Sequence, residues 1–344
     1  MDIVLGIDGG GTKTACAAAR LDGTLLGLGH AGASNPLRVA GGFGGAARAV
    51  AEAAKGALAD AGGGPARVRA VFMALGGISD DDAARRMEAA AREVLDAADV
   101  AADNDAVAAL AAAVGESYGV IVIAGTGSIA MACDRSGRRA RSGGWGYLIG
   151  DEGSGQWIGR LGLDAVARAH DGRGPATGLT ARANAHYGMV SPDDLRTILY
   201  RQPTDSRGVA GFSPEVMAAA GEGDGVAVAI VRSAAHELAD MAIAAARQVG
   251  MDPGSKEFPV APAGGVFSAG EVIMCPFREE LATRAPAASL ALPEFPPVVG
   301  AVMLALKRAW AQADGATAAS TTAAGDAVRE NLRRSWAEIA AHGR

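Results

Sequence analysis

The sequence predicts an α/β protein of about two domains, and three features lead there. Apolar, strand-like runs alternate with alanine-rich helical stretches through the first 115 residues. A strand, a glycine turn and a second strand open the chain, and the same pattern returns near residue 118. At 344 residues the chain is also longer than one hydrophobic core commonly organises.

The elements follow in order. Residues 3–7 are an apolar run that ends at Asp8 and three glycines, Gly9, Gly10 and Gly11, followed by Thr12 and Lys13. Residues 14–21 are small and reach Asp22-Gly23, a hairpin signal before residues 24–28. The opening therefore reads strand–turn–strand. Residues 41–61 read as a helix stopped by Gly62–Gly64 and Pro65. A strand over 68–75 runs into Gly76-Gly77, a charged helix covers 80–98, and a short strand over 100–103 leads straight into a helix over 105–114. This alternation indicates a partly parallel sheet.

A second apolar strand, 118–124, meets the turn Gly125-Thr126-Gly127-Ser128 and a further strand over 129–133. The recurrence suggests a duplicated ββ(β)αβα unit. Residues 136–155 read as a glycine- and arginine-rich loop. Helices are expected from 156 onward and over 191–199, 213–220 and 225–249. A strand over 258–263 enters Gly264-Gly265, and helices over 269–283 and 298–310 follow. Residues 311–325 lack large apolar side chains and read as a linker to a last helix, 326–341, peripheral unless it docks. The expected division is thus 1–115, 116–312, and a 313–344 tail.

Composition excludes several classes. The net charge is −6, with no basic stripe and no aromatic interleaving, which speaks against a nucleic-acid surface. Cys16, Cys133 and Cys275 lie far apart without a CxxC, which speaks against a disulfide framework or zinc knuckle. No signal-peptide pattern opens the chain, and the apolar runs fall far short of a membrane span, so a cytoplasmic location is expected. His30, His170, His186, His236 and His342 show no metal-ligand spacing and read as surface or structural.

The opening GIDGGGTKT suits a metal-bound polyphosphate. Glycines let backbone N–H groups approach phosphate oxygens, Asp8 can hold Mg²⁺ through water, and Thr12 and Lys13 add donors. A Walker A loop needs Gly-Lys adjacent and a helix next, whereas Thr12 separates Gly11 from Lys13. A dinucleotide fingerprint needs a third glycine at a helix start, and none stands there. An ordinary glycine hairpin is the alternative.

Four glycine turns at strand ends, with Asp105 opening a helix after a short strand, resemble the superfamily of sugar kinases, heat-shock chaperones and actin. More closely, Ser34-Asn35, Asn104-Asp105-Ala106, Gly125-Thr126-Gly127-Ser128 and the run GGWGxxxGDEGS at 143–154 resemble the BadF/BadG/BcrA/BcrD-type family in its N-acetylglucosamine kinase branch. Ala210-Gly211-Phe212 and Pro297…Gly300-Ala301 add to the likeness, which covers roughly residues 1–312. The resemblance implies two actin-like (ribonuclease H-like) domains with ATP in the cleft between them, and a homodimer.

It implies further that Asp105 is the general base, phosphoryl transfer to an alcohol needing a carboxylate beside the attacking oxygen. Asn35, Asp105, Gly144, Trp145, Gly146 and Asp151 resemble the sugar-binding set. Gly10, Gly11, Thr12, Lys13, Thr126 and Gly127 resemble the phosphate contacts, and Gly211, Gly264 and Ser268 the adenosine side. Plainer roles stay open: Asp103 or Asp105 as an N-cap, Asp151 or Glu152 as the cap of a helix starting near Gly153, Trp145 as interdomain packing. Leu37 stands where a polar or aromatic pocket residue is expected.

The resulting expectation is a Mg²⁺- and ATP-dependent kinase acting on the 6-hydroxyl of N-acetylglucosamine, with glucosamine as the alternative. The family's other branch activates 2-hydroxyacyl-CoA dehydratases and shares a [4Fe–4S] cluster across a dimer. Three scattered cysteines fit that poorly, and no iron–sulfur cluster is expected. A sugar-sensing regulator would want a DNA-reading segment, and none precedes the first strand.

Overall fold

The computed structural model describes residues 1–201, 206–312 and 320–341, which fall into two compact units. The first comprises Met1–Ser117 and Pro293–Arg344, the second Tyr118–Leu292.

The first unit opens with an antiparallel meander, β1 (Asp2–Gly9), β2 (Thr14–Arg20) and β3 (Leu25–Ala31), as the two turn signals predict. Helix α1 (Gly42–Asp60) returns the chain to β4 (Arg67–Leu75), and α2 (Asp81–Arg92) leads to β5 (Val100–Asp103) and α3 (Asp105–Val114). The sheet order is β3-β2-β1-β4-β5, with β4 and β5 parallel to β1. Strand β1 is buried on both faces, so it reads as a continuous apolar run. Ile3, Leu5 and Ile7 share one core with Ala46, Val50, Ala53 and Ala57 of α1. The expected helix over 80–98 stops at Arg92, because the sheet captures the next residues. Ala98 N donates to Val68 O, and the Arg92 guanidinium donates to Val100 O.

The second unit repeats the plan. Strands β6 (Gly119–Ala124), β7 (Ser128–Cys133) and β8 (Arg139–Gly143) form the meander. Helices α4 (Gly155–His170), α5 (Leu179–Tyr187), α6 (Leu195–Arg201), α7 (Ser206–Ala210), α8 (Ser213–Gly221) and α9 (Gly225–Gln248) follow. Strand β9 (Phe258–Ala263), α10 (Glu271–Arg284) and β10 (Ala288–Leu290) complete it. The order β10-β9-β6-β7-β8 is that of the first sheet, so the duplication read from the turns extends to the topology. Its core gathers Val122 and Ala124 of β6 with Ile158, Phe212 and Leu238.

Strand β8 lies inside what reads as a loop. Its sequence, RARSG, has no apolar run because it is a half-exposed edge, held by the ladder to β7. Strand β10 is three residues long, below what a sequence pattern can signal.

The division of the chain differs from the expected one at its second boundary. Helix α11 (Pro297–Ala311), expected with the second domain, packs on the first unit's sheet and on α3. There Val299, Val302 and Leu306 share a core with Val4, Phe72 and Val107. The chain thus crosses to the second unit and returns to cover the second face of its first sheet.

Helix α12 (Ser320–Ala341) is longer than the expected 326–341, and it docks. Leu332 is fully buried, Leu25 N donates to Ser335 Oγ at 3.0 Å, and Asn331 Nδ2 donates to Asp22 O at 2.9 Å. Arg329 and Arg333 both hold Glu294, at 2.7 and 2.6 Å. Residues 313–319 of the expected linker lie outside the described residues. Among the described residues no helix is long and apolar enough to cross a membrane.

Candidate active site

Strands β1 and β4 end level with each other. Gly9 pairs with Leu75, Gly76 N donates to Gly9 O at 2.8 Å, and Asp103 at the end of β5 pairs with Ala74. The C-terminal ends of parallel strands are where α/β sheets commonly present a site. Gly10 N donates to Lys13 O and closes the first glycine hairpin. Gly10 O accepts from both Ser34 N (3.0 Å) and Asn35 N (3.1 Å). Buried Thr14 donates to Gly32 O at 2.6 Å and stands 2.8 Å from Ser34 Oγ. Ser34 Oγ in turn lies 2.0 Å from where a Gly9 side chain would begin. Only glycine at position 9 leaves room for that latch.

This pinning delivers Asn35 to the strand ends. A Cβ on Gly76 would stand 3.3 Å from Asp105 Oδ2, 3.6 Å from Asn35 Nδ2 and 3.7 Å from Gly10 Cα. One carboxylate, one amide and the hairpin backbone therefore converge on a single point. Asn35 Oδ1 accepts from Leu37 N at 2.9 Å, which holds the side chain in place. Leu37 itself is 73% exposed and adds no wall here.

Neither acidic candidate caps α3. The cap is Asn104, whose Oδ1 accepts from Ala106 N at 3.0 Å and whose Nδ2 donates to Ile78 O at 3.0 Å. Asp103 accepts from Asn104 N at 2.7 Å, so it braces the cap. Asp105 is left in the first helical turn, where the helix dipole favours a negative charge. Burial pushes its carboxyl up. Asp8 is pushed up to about 6, chiefly by burial and then by the charge of Asp105, against a downward pull from Lys13.

The Asp8 shift has a stability consequence of definite sign. An acid titrating higher in the fold than its ordinary 3.8 favours the native state most below pH 4, and that contribution is lost as pH rises through about 6. Asp8→Asn removes the effect. The ligand-free variant should exceed the wild type in stability at pH 8 by about 1–3 kcal/mol and lose that advantage near pH 4. Thermal melts at the two pH values check this, and an advantage independent of pH would contradict it.

In the second unit Gly125 N donates to Gly127 O across the hairpin tip, and Gly125 O accepts from Gly155 N at 2.7 Å. Gln156 N donates to Thr126 O, so the start of α4 is stitched to the hairpin. Ser128 Oγ donates to Glu152 O at 2.6 Å, and Gly144 N donates to Ser128 O at 2.9 Å. Through these bonds residues 143–154 fold back over the turn. The Asp151 carboxylate lies on Gly127, with Oδ2 at 2.7 Å from where a side chain there would begin.

The helix α4 cap is Ser154, which accepts from Trp157 N at 3.2 Å. Asp151 and Glu152 are therefore not its caps. Asp151 is the one non-glycine among the described residues in the left-handed region, with φ 59°. Such backbone strain costs about 1 kcal/mol or more and commonly marks a functional position. Trp145 is 64% exposed, its ring 5.0 Å from the Arg141 guanidinium, so within its own unit it packs no floor. Gly144 and Gly146 flank it at φ 71° and 83°.

Gly264 ends β9 at φ 96°, and a side chain there would meet Ala124 O at 2.4 Å. Val266 N donates to the same carbonyl at 3.0 Å. Beyond it a cavity of about 400 Å³ is lined by Ser213, Met217, Gly265, Val266 and Ser268 among others. Gly211 does not line it; that glycine precedes fully buried Phe212, which seats the start of α8. Asp8, Gly10–Lys13, Asn35 and Asp105 thus belong to the first unit. Thr126, Gly127, Gly144–Gly146, Asp151, Gly211, Gly264 and Ser268 belong to the second. Sequence reasoning missed Thr14 and quoted Ser34 and Asn104 only within motifs, without their latch and cap roles, since small polar residues show no role until their partners are known.

A model of the BadF/BadG/BcrA/BcrD ATPase family matches residues 5–305. The chain belongs to this family. The N-acetyl-D-glucosamine kinase of Dictyostelium discoideum is 30% identical over 313 residues, 89% of this chain and 98% of that protein. The N-acetylmuramic acid/N-acetylglucosamine kinase of Clostridium acetobutylicum is 31% identical over 310 residues, again 89% and 98%. Among solved structures, a candidate N-acetylglucosamine kinase from Chromobacterium violaceum matches with a TM-score of 0.65 and 29% identity. That match covers 88% of this chain and 98% of the other. The two-unit α/β architecture is accordingly the actin-like fold of this family.

Two observations bear on the groups such a member would hold. Asp8 is a half-buried carboxylate whose ionised form desolvation and Asp105 disfavour, a position that a divalent cation relieves. Mg²⁺ keeps several waters and takes one or two carboxylates besides substrate phosphates, so a lone Asp8 fits it. Cys16 in β2 and Cys133 in β7 are buried and Cys275 on α10 is exposed, short of two accessible cysteines per subunit for a shared cluster. Among the described residues no three His, Cys, Asp or Glu gather as a metal site. His30 is exposed, His170 and His236 pair with Asp193 and Glu280, and His186 packs edge-on to Tyr187. His342 lies outside the described residues.

Proposed function

We propose that this family member is an ATP-dependent amino-sugar kinase that phosphorylates the 6-hydroxyl of N-acetylglucosamine. The observation that carries the reading is the convergence of Asn35, Asp105 and Gly10 around Gly76, at the strand ends that also present Asp8. The named activities of the relatives from Dictyostelium and Clostridium support the substrate class.

In this reading Asn35 hydrogen-bonds ring hydroxyls, and Asp105 accepts the proton of the attacking hydroxyl. Burial raises its carboxyl, which makes it a stronger proton acceptor than an exposed aspartate. The glycine hairpin amides and Thr12 and Lys13 cradle phosphate oxygens, and Asp8 orients the hydrated Mg²⁺, which would neutralise charge building on the transferred group. Thr126 and Gly127 serve as the second phosphate turn, and the cavity beside Ser268 takes the adenosine. Gly144, Trp145, Gly146 and Asp151 complete the sugar site. ATP use places the reaction in the cytoplasm.

Asp151 supplies a check on its own role. Asp151→Gly relieves the left-handed strain, so stability should hold or rise by about 0.5–1 kcal/mol while the sugar KM climbs about tenfold or more. Lower stability with an unchanged KM would make Asp151 a scaffold residue. The function itself is tested by Mg–ATP turnover, followed as ADP release, with N-acetylglucosamine, glucosamine, N-acetylmuramic acid, glucose and no sugar. Strong dependence on N-acetylglucosamine, with phosphate at C6 by NMR, is the expected result. Preference for glucosamine would correct the substrate, and ADP release indifferent to every sugar would overturn the kinase.

A further inference from the structure

The first glycine hairpin has a neighbour that no motif announces. Arg38 sits three residues past Asn35, and its side chain runs along the hairpin tip. A Cβ on Gly11 would stand 3.4 Å from both Cδ and Nη1 of Arg38. The approach is built into the backbone: Arg38 N donates to Asn35 O at 3.0 Å, and Asn35 N donates to Gly10 O.

The guanidinium has no carboxylate to answer it among the described residues. Among the described residues no hydrogen bond or ion pair reaches the Arg38 side chain, whereas Arg69, Arg168, Arg182, Arg284 and Arg308 each hold an acid. The hairpin's other cation, Lys13, acts on Asp8. Around the tip, the Gly11 and Thr12 amides have no partner among the described residues, and nothing lies within 4 Å of where a Gly10 side chain would begin. Unpaired amides, open space and a forked cation at one turn form a receptor for a tetrahedral oxyanion.

Resting on the kinase reading above, we propose that Arg38 is a further phosphate-binding residue that holds the terminal phosphate of ATP over the first hairpin. A guanidinium matches two phosphate oxygens at once, which a lysine ammonium does not. Its position at the hairpin tip, on the backbone that contacts phosphate, sets it on the nucleotide's end. The charge it faces grows on the transferred group, so it aids both binding and transfer.

The experiment is calorimetric titration of the full-length chain with Mg–ADP and with a Mg-bound non-hydrolysable ATP analogue, without sugar. In Arg38→Leu the analogue should weaken about tenfold or more while ADP stays within about twofold, the size expected for one charge-assisted contact to the third phosphate. Arg38→Lys should recover part of the loss, since charge returns without the fork. Arg38 is exposed, so both variants should melt with the wild type. Equal weakening of both nucleotides, or none, overturns the assignment. So does a loss confined to turnover of a sugar bearing its own carboxylate, which would put Arg38 on the acceptor. A wild-type chain that binds neither nucleotide overturns the kinase reading. One that binds both, with a ratio unmoved by Arg38→Leu, overturns this inference alone.

Discussion

Asp105→Asn should lower kcat by about 10²–10⁴ with nucleotide binding largely kept, the usual contribution of a positioned general base. The amide keeps the size and the place of the carboxylate, so the Asn104 cap and the start of α3 stay intact. What the substitution removes is the carboxylate that the proposed mechanism uses to accept the hydroxyl proton. A second effect comes from the charge: Asp105 raises Asp8, so the variant should bring the Asp8 carboxyl down from about 6. Rate measurement at saturating ATP and sugar, with ADP affinity by titration, checks the first part. Turnover within a few-fold of wild type would remove Asp105 from the chemistry.

The largest stability effect is expected at Gly300, where two helices meet. Helices α3 and α11 cross so closely there that a Cβ on Gly300 would lie 1.9 Å from Ala108 O and 2.8 Å from Ala112 N. Both obstacles are backbone, so no rotamer change relieves the clash and the helices must part. Gly300→Val should cost about 3 kcal/mol or more, beyond ordinary overpacking. Because α3 begins with Asp105, any surviving fold should also turn over more slowly. Thermal melts test this directly. An unshifted melting temperature would mean that the close crossing is not a feature of the folded protein.

Much of the architecture was legible in the chain itself. Glycine-rich turns, apolar runs and Asp22-Gly23 have local causes, since positive φ needs glycine and a doubly covered strand needs continuous apolar residues. Strands β1, β2, β6, β7 and β9 and helices α3, α8 and α9 therefore sit close to where the sequence puts them. Edge strand β8 escaped because half-exposed RARSG owes its conformation to β7, a partner that no local pattern encodes. The early end of α2 is a competition that helix propensity loses to sheet pairing through Ala98.

The site divides in the same way. The sequence alone determined the glycine turns at the strand ends, the place of the carboxylates beside them and the family, because glycine, aspartate and their spacing are read directly from the chain. Only the tertiary structure decided that Asn104, not Asp103 or Asp105, caps α3, and that Ser154, not Asp151, caps α4. It alone returned α11 and α12 to the first sheet, across the whole of the intervening second unit, Tyr118–Leu292. Caps and returns are choices among competing partners, and a choice among partners is made by proximity, which a linear sequence does not contain.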